Sequence, residues 1–165
     1  MGRVISQSEL ILQRREWKRN GERVVFVSGV FDLLHPGHIR LLEQARSYGE
    51  ILIAAIPSDE SVRSTASATT NGVERPITPA AERAEILAAL EAVDFVTEFD
   101  DATPLTLLLK LVPEVQVKGG PAGRDSTARQ EEAAAAAAGI QSVHVPLEPG
   151  YSTTRLLERI QQLRA

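Results

Sequence analysis

The 165-residue chain contains no cysteine, so neither a disulfide framework nor a cysteine-liganded zinc site is open to it. No stretch approaches the roughly 18 to 20 consecutive apolar residues that cross a bilayer. The start of the chain carries Arg3, Ser6 and Glu9 and lacks the apolar run of a signal peptide. A cytoplasmic protein without membrane contact is the expectation. Basic charge is in deficit too: 18 Lys and Arg against 22 Asp and Glu give a net charge of -4 and a pI near 5.4. A chain of this sign has no positive field with which to hold nucleic acid or an anionic membrane. Any anion must be bound locally.

Other absences narrow the chemistry. There is no G-x-x-x-x-G-K-[ST] loop and no G-x-G-x-x-G fingerprint, which removes support from kinase and dehydrogenase readings. No carboxylate pair or serine triad stands out, no repeat is visible, and no Pro/Ser linker divides the chain. With 43% apolar and 24% charged residues, the composition is that of one globular domain over residues 1–165.

What is present is centred on Val24-Val25-Phe26-Val27-Ser28-Gly29-Val30-Phe31-Asp32-Leu33-Leu34-His35-Pro36-Gly37-His38. It reads as a buried strand, a tight turn and a helix opening with two histidines. Residues at i and i+3 share one helix face. The first turn of a helix offers unpaired N–H groups and positive dipole. Pro36 suits the first helical position, and Gly37 lets a ligand approach the backbone. The arrangement is suited to phosphate.

In chain order, Ser6-Gln7-Ser8-Glu9 matches a capping box and begins a lead-in helix over about 6–20 that stops at Asn20-Gly21. Trp17 lies on its apolar stripe, where packing is favoured over base stacking. The histidine helix continues to Tyr48-Gly49, and residues 51–56 form an apolar run of strand length. Residues 64–74 have little apolar content and read as a mobile loop, either a surface connection or a lid. Helices are predicted over 79–90, 104–111, 126–138 (with Ala133 to Ala138 at its end) and 152–164, and strands over 93–97, 115–118 and 143–145. His144 falls within the last strand and reads as structural. Five strands alternating with helices imply a parallel sheet with right-handed crossovers: an α/β, Rossmann-like, three-layer α/β/α fold.

Three strand ends then meet one sheet edge, where ligands of such folds bind. They are Gly29 to His38, Lys118-Gly119-Gly120, and Ser152-Thr153-Thr154. The last set is also what N-capping would select, but beside the histidine turn it reads as phosphate-binding. Lys118 is a candidate phosphate contact. Asp32 is a candidate for positioning, since Asp also stabilises turns. Arg75 and Arg83 are candidates for a second substrate's phosphate, because guanidinium binds anions in a bidentate manner.

These residues resemble the nucleotidyltransferase superfamily with the HIGH-type motif, here His35-Pro36-Gly37-His38. The finer resemblance is to bacterial D-glycero-β-D-manno-heptose 1-phosphate adenylyltransferases. It covers nearly the whole chain, including Leu-Glu-Ala-Val-Asp-Phe-Val, Asp-Ala-Thr-Pro-Leu, Val-Lys-Gly-Gly and Gly-Tyr-Ser-Thr-Thr. The resemblance implies transfer of AMP from ATP to a sugar 1-phosphate, with pyrophosphate leaving. It gives catalytic roles to His35, His38 and Lys118. Nucleotide contacts would come from Gly29, Phe31, Asp32, Gly37, His38, Gly119, Ser152, Thr153 and Thr154. Mg2+ would be carried by the triphosphate rather than by a protein cage. It further implies a homodimer, whose only surface suggested by the residues is the apolar face around Trp17. A sugar kinase would act separately, because related bifunctional enzymes carry one and this chain does not. The chain departs from the family pattern at Ser28, at 64–74 and at Pro121-Ala122, differences that touch the acceptor side more than the nucleotide side. Two alternatives stand: a cytidylyltransferase acting on glycerol 3-phosphate or a similar alcohol phosphate, and a non-catalytic nucleotide-binding module.

Overall fold

The computed structural model describes residues 1–65, 68–123 and 125–163. Its centre is a parallel sheet built from the apolar runs of the sequence: β1 (Arg3–Val4), β2 (Val24–Ser28), β3 (Ile51–Pro57), β6 (Phe95–Phe99), β7 (Val115–Gly119) and β8 (Gln141–Val145). The spatial order is β1-β6-β3-β2-β7-β8, and every pairing is parallel. The order reverses between β2 and β7, so the crevice between their carboxyl ends is the topological switch point.

The sheet has six strands where five were predicted. The extra one, β1, is two residues long and too short to show any period. Backbone bonds fix it to the edge at β6, from Arg3 N–H to Asp94 O at 2.9 Å and from Ile5 N–H to Val96 O at 3.0 Å.

Helices cover both faces, which is why β3 is apolar throughout. Leu52, Ala54 and Ile56 join Val25, Val27, Val115 and Val117 on one face. There α2 (Pro36–Arg46) supplies Leu42 and Ala45, and α4 (Ala80–Ala88) supplies Ala84 and Leu87. Phe26, Ile53 and Ala55 face the opposite layer of α1 (Gln7–Asn20), α5 (Leu105–Leu111) and α6 (Ser126–Ala137). Helix α3 (Asp59–Arg63) follows β3, and α7 (Thr153–Gln162) ends the described chain. The predicted helix end at Arg164 lies outside the described residues.

The capping box on α1 is present, with Ser6 Oγ accepting from Glu9 N–H at 3.2 Å and Glu9 Oε2 accepting from Ser6 N–H at 3.0 Å. Trp17 is buried against Phe95, with ring centroids 4.9 Å apart. Trp17 thus packs within its own chain, while Leu12 on the same helix is exposed. Arg14 is buried on the same helix and closes the end of α5, donating to Leu111 O at 3.0 Å and Val112 O at 2.8 Å. This places a cation at a helix C-terminus, where the dipole favours it.

Segment 64–74 is more ordered than the loop reading implied. Thr69–Thr70 (β4) and Val73–Glu74 (β5) form an antiparallel hairpin closed by Asn71 and Gly72, both at positive φ (51° and 75°). Asn-Gly is the turn pair that suits the twist of a two-residue hairpin. Its tip is tied to α7, where Gln161 Nε2 donates to Asn71 O at 3.1 Å. Ala66 and Ser67 of that segment lie outside the described residues.

Candidate nucleotide and acceptor sites

The turn after β2 is held in an unusual backbone shape. Phe31 and Leu33 both sit in the left-handed region, at φ 51° and 52°, a conformation that non-glycine residues adopt only when their surroundings enforce it. The winding turns Asp32 inward, where it is fully buried. Its carboxylate accepts from Arg75 Nε at 3.0 Å, Ile77 N–H at 2.9 Å and Thr78 N–H at 3.0 Å. Burial pushes this carboxyl up, but the two backbone N–H groups and the Arg75 guanidinium outweigh it and hold the group below the usual carboxylate range. The Asp32 carboxylate is thus engaged within the protein, where it shapes the turn.

The two imidazoles follow at the start of α2. His35 is the N-cap residue and Pro36 occupies the first turn. The rings of His35 and His38 stack, with centroids 3.7 Å apart and planes 17° from parallel. Phe31 meets the His38 ring edge-on at 5.5 Å. His35 N–H points at His38 Nδ1 across 3.4 Å. That contact leaves the proton of neutral His38 on Nε2. Burial, followed by the neighbouring His35 and Arg75 charges, lowers His38 to about 4, against the opposing pull of Asp32. Burial lowers His35 as well. Near pH 7 both imidazoles are neutral donors.

Gly37 is required by packing as much as by any ligand: a Cβ there would lie 3.1 Å from the His35 ring and 3.1 Å from Tyr151 Cβ. Gly29 packs in the same way beneath Phe31, whose ring would be 3.1 Å from an added Cβ.

The start of α7 closes onto this turn. Ser152 is its N-cap, accepting from Arg155 N–H at 3.1 Å, and Thr153 Oγ1 donates to Asp32 O at 3.1 Å. Thr154 is exposed in the first turn. The structure therefore brings Gly29, Phe31, Asp32, His35, Gly37, His38 and Ser152 to Thr154 into one neighbourhood.

Lys118 and Gly119 lie on the same sheet edge but face elsewhere. Side chains alternate along a strand. With Val115 and Val117 packed toward α2 and α4, Lys118 points to the opposite layer, where its Nζ donates to Glu131 Oε2 on α6 at 2.7 Å. This pair lines a cavity of about 440 Å³ at the β2–β7 switch point, together with Ser28, Gly29, Ser61 and Thr127. The histidines line no part of it; His35 borders a separate recess of about 390 Å³ along the outside of α2. Gly119 is packed by Leu147, 3.1 Å from where its Cβ would be. His144, as expected of a strand residue, has internal partners: Nδ1 lies 3.2 Å from Gly120 O, and Nε2 lies 3.4 Å from Glu132 Oε1.

Arg83 departs from the sequence reading. Its guanidinium is buried and spent on Thr78 O (2.9 Å), Val30 O (2.8 Å), Pro57 O (2.9 Å) and Asp59 Oδ1 (2.8 Å). It is not an exposed phosphate ligand, because it locks the ends of β2 and β3 to the segment before α4. Arg75 is nearly as buried, yet only its Nε has a hydrogen bond among the described residues. Sequence reasoning missed Asp59, Glu131 and Glu132. No spacing in the chain pairs them with Arg83, Lys118 and His144.

Among the described residues, no three His, Cys, Asp or Glu side chains gather as a metal site, and no helix is long and apolar enough to cross a membrane.

Comparison with known proteins bears on the family and the fold. The model of the family described as cytidylyltransferase-like matches residues 26–159. The Bifunctional protein HldE of Koribacter versatilis (strain Ellin345) is 45% identical over 157 residues, which span 95% of this chain and 31% of that protein. The Bifunctional protein HldE of Rhodopseudomonas palustris (strain BisB5) is 44% identical with the same coverage. The chain thus spans about a third of the length of these relatives. The crystal structure of the lipopolysaccharide core biosynthesis protein from Thermoplasma volcanium GSS1 superposes with a TM-score of 0.60 at 24% identity, covering 78% of this chain and 98% of that one; at that identity it speaks for the fold alone. On the family match over most of its length, the chain belongs to the cytidylyltransferase-like family.

Proposed function

We propose that this nucleotidyltransferase moves the adenylyl group of ATP onto a sugar 1-phosphate, a heptose 1-phosphate of the D-glycero-β-D-manno type, releasing pyrophosphate. The observation that carries the reading is the joining of two helix N-termini at one strained turn. The stacked His35 and His38 open α2, while Thr153 ties the start of α7 to Asp32 O. Each terminus offers unpaired N–H groups and positive dipole to phosphate oxygens. The relatives named HldE, at 44 to 45% identity, support the choice of acceptor.

In this reading an acceptor phosphate oxygen attacks the α-phosphorus, the bond to the bridging oxygen breaks, and pyrophosphate leaves on the opposite side. Such a transfer needs positioning and charge stabilisation rather than a covalent intermediate. His38 donates from Nε2 to a phosphate oxygen, and its stacking partner His35 holds the ring in place. Thr154 and the first-turn N–H groups of α7 hold the nucleotide. The cavity beside Lys118, at about 440 Å³, falls within the size range of small-ligand sites and receives the acceptor. Mg2+ carried by the triphosphate would shield its charge.

A pyrophosphate-release screen crossing ATP, CTP, GTP and UTP with sugar 1-phosphates and glycerol 3-phosphate tests the proposal. The expected result is turnover with ATP and a sugar 1-phosphate. Turnover confined to CTP and glycerol 3-phosphate would establish instead the second reading, which the family description favours. Nucleotide binding without release on any acceptor would leave a binding module.

A further inference from the structure

Lys118 and Glu131 are only 16% and 12% exposed, at 2.7 Å, inside the switch-point cavity. Beside Glu131, the Glu132 carboxylate is anchored: its Oε1 accepts from Gly123 N–H at 3.2 Å and faces His144 Nε2 at 3.4 Å. Glu131 rests on Lys118 alone among the described residues. Of these two carboxylates, one is therefore fixed and the other is held by a single bond to Lys118, the one ammonium lining the cavity among the described residues, where Asp125 is a third carboxylate.

A phosphomonoester entering this cavity carries more negative charge than a carboxylate and presents several acceptor oxygens, so it displaces Glu131 from Lys118. The displaced carboxylate cannot remain beside the phosphate without repulsion. It must turn to donors, but of the hydroxyls that line the cavity, Ser28, Ser61, Thr65, Thr103 and Thr127, those of Ser61 and Thr65 already donate to Asp101 O and Val62 O, and the Asp125 and Glu132 carboxylates beside them offer acceptors only. A ligand rich in hydroxyl groups brings those donors with it.

We propose that the Lys118–Glu131 pair reads the acceptor: Lys118 takes its phosphate, and the released Glu131 accepts hydrogen bonds from its hydroxyl groups. The cavity then prefers a polyhydroxylated phosphomonoester to bare phosphate, which must break the ion pair without offering Glu131 a new partner. This rests on the acceptor reading of the cavity given above, and it moves Lys118 from the catalytic group to acceptor binding.

The test is calorimetric binding of inorganic phosphate and of mannose 1-phosphate to the full chain, alongside acceptor kinetics. The variants are Glu131→Gln, Glu131→Asp and Lys118→Met. Glu131→Gln should bind inorganic phosphate about fivefold more tightly and lose about tenfold of the preference for mannose 1-phosphate, since a charge-assisted bond becomes a neutral one. Glu131→Asp, which keeps the charge, should retain most of that preference. Lys118→Met should lose binding of both ligands. In kinetics, Glu131→Gln should raise the acceptor KM and leave the KM for ATP unchanged. An unaltered ratio in Glu131→Gln, or wild-type affinity in Lys118→Met, overturns the proposal, as does a wild-type chain that binds neither ligand. If the ratios shift as expected while no acceptor releases pyrophosphate, the reaction assigned above fails and the recognition device stands.

Discussion

Replacing Asp32 by Asn tests whether the strained turn is held by its buried carboxylate. Asp32 is wholly buried and accepts three bonds, from Arg75 Nε and from the Ile77 and Thr78 N–H groups, all within 3.0 Å. Asn keeps one acceptor oxygen but turns an NH2 group toward these donors and leaves Arg75 buried without its counter-charge. Breaking a buried pair by removing one partner costs about 3–5 kcal/mol. For a domain of this size that is a fall in Tm of about 6–20 °C. Thermal melts of wild type, Asp32→Asn, Arg75→Met and the double variant measure it. The double variant should be more stable than the sum of the singles by at least about 1 kcal/mol, because the residues are in contact. The pH dependence has a definite sign. The folded carboxyl lies below its unfolded value of about 3.9, so its contribution is complete above that pH and is lost as pH falls below it through the folded value. Asp32→Asn should lack that part of the acid destabilisation. A variant within about 1 kcal/mol of wild type, or strictly additive singles, would show that Phe31 and Leu33 hold their positive φ without this anchor.

Two further outcomes follow from buried groups. His38→Ala should lower kcat by roughly 10²–10³ if its Nε2–H stabilises the transition state. In wild type, NMR titration should place the His38 midpoint about 4, and a midpoint above 6 contradicts the burial described for it. Because the unfolded imidazole titrates near 6.5, stability from this residue is complete above that pH and declines as pH falls toward about 4. Gln116 is buried with both amide atoms unpartnered among the described residues, so the isosteric Gln116→Met should raise stability by about 1 kcal/mol, or about 2–4 °C in Tm. A destabilised Met variant would mean that the amide is bonded in solution.

The fold was legible wherever burial on both faces left a mark on composition. The runs at β2 and β3 and the Gly punctuation after the helices record it. β1 left none, since two residues have no period and their pairing partner, β6, is about ninety residues away. The hairpin at 69–74 did leave one, the Asn71-Gly72 pair, but the small polar residues around it conceal strands of only two residues each. At the site, the histidine turn was visible because its parts are contiguous. Arg83 was misread because its acceptors, Val30 O and Pro57 O, belong to distant strand ends. An arginine in a helix carries no sign of such partners. The direction of Lys118 follows from the parity of Val115 and Val117, but the presence of Glu131 opposite it depends on the rotational phase of α6, which its alanine-rich sequence leaves unmarked.

The charges of the site fall into two mechanical kinds, and the difference bears on how one molecule meets two substrates. Arg83 holds three carbonyl groups and Asp59 at 2.8 to 2.9 Å, and Asp59 Oδ1 also accepts from Ala80 N–H at 2.9 Å. Moving any of these atoms would strand a buried charge, at several kcal/mol, so the ends of β2 and β3 and the segment before α4 move as one body. The histidines inherit that rigidity through the same turn, which in-line transfer requires, since small misplacements of the reacting atoms are severely penalised. Lys118 and Glu131 belong to the other kind, joined by one bond at the wall of a cavity, and can exchange partners without disturbing the sheet. On the proposed assignment, a fixed nucleotide side and an exchangeable acceptor side would allow the acceptor to be selected without moving the groups that align the phosphorus. Substitutions at Glu131 should accordingly change which acceptor is used, whereas substitutions at Arg83 should lower stability and turnover together.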